Sequence, residues 1–175
     1  MSDYWPTQQE VLSNKSVYGD PRGRDKSRSS TAWEAANIIY IKPPFRMTYA
    51  GQVVSRIRVH RYCAGSLLRV MNNLNTAAKE NQKTLDHWGV SIFGGCVMYR
   101  LMRGLNQLSI HSYGAAIDLD PARNGLGNKT PRFAEFPEVL KAFDKEDWRW
   151  GGDWNDNGSS LDERRADGMH WQATR

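Results

Sequence analysis

One run of the chain carries an unusual concentration of chemistry: Ser109-Ile110-His111-Ser112-Tyr113-Gly114-Ala115-Ala116-Ile117-Asp118-Leu119-Asp120. Ser112, Tyr113 and Gly114 predict a turn, and Ala115 to Leu119 predicts a short buried strand. A chain that turns and then runs straight can fold back, bringing the imidazole of His111 to the carboxylate of Asp118. A carboxylate inside the apolar sequence Ala-Ala-Ile-Asp-Leu is costly to bury unless a cation or hydrogen-bond donors compensate it. Borderline-soft divalent metals, zinc above all, accept imidazole and carboxylate together. A third ligand is then needed, and Asp167-Gly168-Met169-His170-Trp171 near the end of the chain offers one.

The pattern Ser-x-His-x-x-Gly-x-Ala-x-Asp, followed by Asp-x-x-His-Trp, resembles the zinc peptidases that cleave D-alanyl-D-alanine or L-alanyl-D-glutamate bonds of peptidoglycan. It is most similar to their phage-endolysin-like members. The likeness extends to Gly94-Gly95-Cys96-Val97-Met98-Tyr99-Arg100 and to Trp150-Gly151-Gly152-Asp153-Trp154, and so covers residues 60–173. The resemblance implies His111, Asp118 and His170 as zinc ligands, Asp167 as the catalytic acid/base, and Arg100 as a substrate or transition-state contact. It implies an α+β fold with a mostly antiparallel sheet, packed helices and the zinc site on the sheet, as in hedgehog-like and D,D-peptidase-like proteins. The implied activity is zinc-dependent hydrolysis of a stem-peptide bond, of L-alanyl-D-glutamate endopeptidase or D,D-carboxypeptidase type, in a lysis enzyme. Two other classes remain for test: a non-catalytic zinc-containing wall-binding module on the same scaffold, and a basic nucleic-acid-binding protein with incidental histidines.

Each residue also has an ordinary reading. Asp167 lies beside Gly168, which suits a turn as well as a proton carrier. Arg100 and Arg103 can hold a carboxylate bidentately or steady an oxyanion; Arg103 precedes Gly104 and equally suits a solvated loop. Ser109 either contacts substrate or secures the turn. Asp120 is left unassigned, and His60 and His87 are read as hydrogen-bonded structural or surface residues. Trp150, Trp154 and Trp171 are expected to pack the walls of the site. Three protein ligands would leave a fourth position open, the arrangement of a catalytic rather than a structural zinc.

Several elements must position these groups. Residues 1–30 read as an irregular arm pinned by Trp5 and Tyr18, with a turn at Pro21-Arg22-Gly23. Ile38–Ile41, Phe45–Tyr49 and Val53–Val59 are β-branched and aromatic runs that suggest a small antiparallel meander. Leu67, Met71, Leu74 and Ala78 recur at helical spacing, with Ser66 or an earlier residue as the cap and the polar stretch Asn81 to Asp86 as the end. Val90–Phe93 predicts a strand that Gly94-Gly95 interrupts and Val97–Arg100 continues. Pro121 to Pro131 reads as a loop, Phe136 to Glu146 as a second helix, and Trp148–Trp154 and Met169–Gln172 as final strands joined by the polar loop Asn155 to Ala166.

The 175 residues fit a single catalytic domain, and 39% hydrophobic content with seven Trp and seven Tyr argues for a folded chain. A net charge of +5 and a pI near 9.3 favour anionic partners without choosing among them. Arg22, Arg24, Lys26 and Arg28 read as a solvated loop, and no recognised nucleic-acid module accompanies them. No apolar run approaches the ~18–20 residues of a membrane span. Met1-Ser2-Asp3-Tyr4-Trp5-Pro6 has neither a basic nor an apolar signal region, so synthesis in the host cytoplasm and action on the wall after release are expected. Peptidoglycan stem peptides are the expected partner and a monomer the expected state. Cys63 and Cys96 fit buried free thiols, with a disulfide between them as the alternative.

Overall fold

The structure, a computed structural model, describes residues 5–13 and 16–175; the first residues of the N-terminal arm, 1–4, lie outside the described residues, as do 14 and 15. The arm is more regular than its composition predicts. Thr7 and Glu10 form a reciprocal capping box that starts the short helix α1 (Gln8–Leu12). Trp5 and Tyr18 pin the arm as expected. The Trp5 indole N–H donates to Glu146 O at 2.8 Å, and the Tyr18 hydroxyl donates to Ala173 O at 2.7 Å.

After α2 (Thr31–Asn37) come β1 (Ile38–Ile41), β2 (Thr48–Tyr49), β3 (Gln52–Val53) and β4 (Ile57–His60). They do not form a meander. Strand β1 pairs antiparallel with β4, and β2 pairs antiparallel with β3 around Ala50 and Gly51, both at positive φ. Pro43 and Pro44 explain the difference: they have no N–H to give to a ladder, so the chain leaves β1 and returns to it only at β4. On β4, Ile57 and Val59 enter the core while Arg58 turns outward to Glu34.

Helix α3 (Arg61–Ala77) starts directly from β4, capped by His60 and not by Ser66. Ser66 is instead buried, donating to Glu146 at 2.9 Å and accepting from the Trp148 indole at 2.9 Å. The polar stretch after Leu74 opens a further helix where a helix end was expected. Asn81 caps α4 (Gln82–Trp88), which buries only Leu85 and Trp88 and shows its polar residues to solvent.

The remaining elements are β5 (Phe93–Gly95), β6 (Ala116–Leu119), α5 (Pro121–Asn124), α6 (Pro137–Asp144), β7 (Arg149–Trp150) and β8 (His170–Gln172). They give an antiparallel four-stranded sheet ordered β5-β6-β8-β7. The strand expected at Val90–Phe93 lies instead on the glycines. A Cβ at Gly94 would come within 3.0 Å of Asp118 Cβ, so only glycine lets β5 pass this close to β6. Residues 97–100 leave the sheet; there Met98 N–H donates to His111 O at 3.1 Å and Arg100 N–H to the Ser112 hydroxyl at 3.0 Å. Within the expected loop 121–131, α5 begins at Pro121 and carries the buried Asn124.

Helices α3 and α6 pack against each other, α3 along β1 and β4 and α6 along β7, and Trp171 stacks on Phe143 at 3.9 Å between centroids. The arrangement is a mixed one of helices and small antiparallel sheets, and the sheet face opposite Trp171 is free to carry polar groups. Cys63 and Cys96 are both buried and not joined in a disulfide, and burial pushes the Cys96 thiol well above its usual range.

Candidate metal centre and cleft

Sheet register places the first pair of groups. Between β6 and β8, Asp118 lies opposite His170, Ile117 opposite Trp171, and Ala116 opposite Gln172. Side chains alternate along a strand, so Asp118, His170, Ala116 and Gln172 share one face while Ile117 and Trp171 enter the core. His111 arrives from outside the sheet, on the single 3₁₀ turn Ile110–Tyr113 that Ser109 caps and Gly114 closes. Gly114 has φ +67°, and a Cβ there would lie 2.9 Å from His60 N, so the turn can press against β4 only with glycine.

The three side chains converge to hydrogen-bonding distance. His111 Nε2 is 3.0 Å from Asp118 Oδ1 and 3.1 Å from His170 Nδ1, and His170 Nδ1 is 3.0 Å from the same carboxylate oxygen. All three residues are buried and form a group able to hold a metal ion. The outward ring nitrogens explain how. His111 Nδ1–H donates to the Cys96 carbonyl at 2.8 Å, which leaves Nε2 with its lone pair facing inward. His170 Nε2–H donates to Gln172 Oε1 at 3.0 Å, which turns the Nδ1 lone pair the same way.

Two lone pairs and a carboxylate therefore meet at one point, and such a donor set fits a cation. A triangle with these sides has its centre about 1.8 Å from each corner, inside the ~2.0–2.2 Å reach of zinc bonds to nitrogen and oxygen, so one ion can touch all three. The outer bonds are the usual supports of ligating histidines.

Electrostatics agree with the geometry. Burial alone would raise the Asp118 carboxyl, but the facing imidazoles, which donate to it when protonated, outweigh burial and hold the group far below the ordinary carboxylate range. Burial opposes a charged His170, yet the Asp118 carboxylate raises its pKa above the usual value. The negative charge that draws a proton onto His170 draws a metal cation by the same attraction.

The group borders, through His170, a cleft of about 360 Å³. Asp167 lies on its wall, in a turn closed by the His170 N–H donating to Asp167 O at 2.9 Å. That turn is held from outside by Asp167 N–H to Gly151 O and by Met169 N–H to Asn124 O, each 2.7 Å. Gly168 is required for closeness: a Cβ would meet Pro131 Cβ at 2.3 Å. The Asp167 Oδ1 atom is buried without any hydrogen-bond partner. Burial raises its pKa, with the nearby Asp118 charge adding to that and His170 and Arg103 opposing it. A carboxylate oxygen kept dry and unpaired at a cleft wall costs stability and is a frequent mark of a working group.

Arg100, Arg103 and Ser109 also line the cleft. The Ser109 hydroxyl accepts the His111 N–H at 3.4 Å, so it secures the turn from within the cleft wall. Asp120 is not part of the cluster; it is buried, pairs with Arg123 and lies at φ +45°. Of the three tryptophans expected on the walls, only Trp154 lines the cleft. Trp150 and Trp171 stack on each other, 5.5 Å apart, with Trp171 in the core. His60 is structural, as expected: its ring is fully buried and burial lowers its pKa to about 4.

Four polar lining residues escaped the sequence reading: Gln8, Arg149, Arg165 and Gln172. Gln172 was legible by strand alternation from His170. Arg149 lies opposite Gln172 on β7, and its guanidinium donates to Trp154 O. Arg165 crosses to donate to Arg103 O at 3.0 Å, tying two rims of the cleft. No local pattern announces Gln8, which is brought in by the packing of α1. Four arginines thus surround a cleft whose lining includes Asp167 as its single carboxylate.

A family comparison bears on this geometry. Residues 103–173 match the family model of D-alanyl-D-alanine carboxypeptidase. The matched segment contains His111, Asp118, Asp167 and His170, and it leaves out Gln8 and Arg100. It supports a metallopeptidase of that cell-wall peptidase family. No curated protein and no solved structure matches the chain. No helix among the described residues is long and apolar enough to cross a membrane.

Proposed function

We propose that the chain is a zinc metallopeptidase that hydrolyses a peptide bond in the peptidoglycan stem peptide. The observation that carries this reading is the convergence of His111 Nε2, His170 Nδ1 and Asp118 Oδ1, with both outer imidazole N–H groups already engaged. His111, Asp118 and His170 would hold the ion and leave it open toward the cleft. Zinc held there supplies Lewis acidity to a carbonyl and an acidified water near neutral pH.

The chain's own residues do the rest. Asp167, unpaired and raised in pKa, accepts the proton of the attacking water and returns it to the leaving amine. Arg100 and Arg103 orient substrate carboxylates or steady the oxyanion, and Arg149 and Arg165 extend the same positive wall. A stem peptide carries free carboxylates, which suits a cleft lined by four arginines. The likeness to phage-endolysin-like motifs and the net charge of +5 support a role in host lysis, acting as a monomer on an anionic wall.

The test is digestion of purified murein with mass spectrometry of the released fragments, alongside elemental analysis of the protein. One zinc per chain, stem-peptide cleavage, and loss of both on chelation are expected. A stoichiometric zinc protein that binds murein without cutting it would leave the wall-binding reading in its place.

A further inference from the structure

The N-terminal arm lies outside the segment that matches the peptidase family, yet it reaches the metal centre. The His170 ring donates through Nε2 to Gln172 Oε1 at 3.0 Å. The Gln172 amide nitrogen donates in turn to Gln8 Oε1 at 3.1 Å and to the Thr174 hydroxyl at 2.6 Å. A carboxamide has two nearly equivalent orientations, and the wrong one would present an N–H₂ to His170. His170 Nε2 would then have to accept, its proton would move to Nδ1, and the lone pair would be lost from the cluster.

Thr174 does not decide between the two orientations, because a hydroxyl both donates and accepts. The Gln8 carbonyl oxygen does, since it only accepts. Gln8 is itself oriented by its amide nitrogen, which lies 4.0 Å from Met102 Sδ on the facing wall. Its backbone is fixed by the Thr7–Glu10 capping box, the buried Trp5 and Val11, and Arg175 N–H to Pro6 O at 3.1 Å. Gln172 and Thr174 are both buried, and a leucine at position 8 would fill the space of Gln8 without supplying an acceptor.

We propose that Gln8 is a positioning residue of the metal centre: its carbonyl oxygen holds the Gln172 amide in the orientation that keeps the His170 lone pair turned to the metal. The inference rests on the metal reading of His111, Asp118 and His170 and adds the arm to it. The consequence is affinity. Loss of an outer partner of a ligating histidine costs 10–100-fold in metal binding, and Gln8 acts one bond further out, so about 10-fold is expected.

The experiment compares wild type, Gln8→Leu and Gln8→Glu by zinc competition against a chromophoric chelator, with ¹⁵N NMR of the imidazole tautomers in the metal-free proteins. Gln8→Leu keeps the size, removes the acceptor, and should weaken zinc about 10-fold while populating the second His170 tautomer. Gln8→Glu keeps an acceptor facing Gln172 and should stay within about threefold of wild type. Wild-type affinity in Gln8→Leu, or equal losses in both variants, would overturn the proposal while leaving the metal reading standing. A wild-type chain that takes up no zinc would overturn the metal reading and this inference together.

Discussion

Replacing Asp167 by Asn separates proton transfer from every other property of the site. The turn that presents Asp167 is held by its backbone, from Asp167 N–H to Gly151 O and from His170 N–H to Asp167 O, and by the Trp150 indole on Gly168 O, so an amide side chain leaves it intact. The metal group does not include Asp167, and zinc content should remain one per chain. The cleft offers no substitute: its lining contains no other carboxylate, and its one histidine is His170. The whole contribution of a general acid–base group, ~10²–10⁴-fold or about 3–5 kcal/mol of barrier, should therefore be lost. Stability should move the other way. A carboxyl whose pKa is raised by folding binds its proton more tightly in the native state, so its contribution falls as pH rises from 3.8 through the raised value. Above that window the wild type carries a desolvated charge that Asn does not, and Asp167→Asn should melt at the same temperature or higher. The rate should also lose its dependence on deprotonation of this group at the acid side. Stem-peptide hydrolysis across pH 4 to 8, zinc analysis and thermal melts make the test. Retained turnover would refute the acid–base role, and lost zinc would make Asp167 a ligand.

Three further outcomes follow from the same geometry. Chelation should lower the melting temperature by about 10 °C where zinc stands ~1,000-fold above its dissociation constant, and His111→Ala should abolish the difference between treated and untreated protein by calorimetry. Arg100→Lys should reduce turnover on the order of 10²-fold by losing the planar fork, whereas Arg103→Lys, at an exposed rim position, should be mild; steady-state kinetics decide, and the reverse order would move the oxyanion role to Arg103. Because burial lowers His60 from 6.5 to about 4, the unfolded chain takes up a proton there that the native chain refuses. Stability should fall by about 3 kcal/mol between those values as pH drops, and urea unfolding of His60→Gln should lack that part of the decline.

The meeting of His111 with Asp118 was legible because its signal is chemical and local, whereas the choice of His170 as their third partner came from the family resemblance. His111 and Asp118 stand on either side of a glycine turn, and a carboxylate within an apolar strand demands compensation whatever the fold around it. The strand itself was read from the same residues. Elements that depend on distant partners were not legible. Nothing in Gly94-Gly95 says strand; a Cβ on Gly94 would crowd Asp118 on β6 at 3.0 Å, and Gly95 takes φ +141°. The run at Asn81 to Asp86 looked like a helix end because polarity was taken as termination, whereas an exposed helix face is polar too and Asn81 is a cap. The pairing of β1 with β4 was hidden for a related reason, since Pro43-Pro44 marks a departure without saying where the chain returns.

Gln8 shows where this limit bears on function. A glutamine in a five-residue helix carries no motif, and its sequence distance from Gln172 gives no reason to join them. The link is made by apolar groups, Trp5 against Trp148 and Val11 in the core, with Tyr18 fastened to the last strand's continuation at Ala173. Those contacts look structural one at a time, and they fix the orientation of a single amide. Burying an aromatic side chain of this size is worth roughly 2–3 kcal/mol, against the ~1 kcal/mol of the hydrogen bond that the packing positions. The larger, non-directional energy sets the smaller, directional one, which explains why site chemistry can be read from residue types while the supports that hold it require the fold.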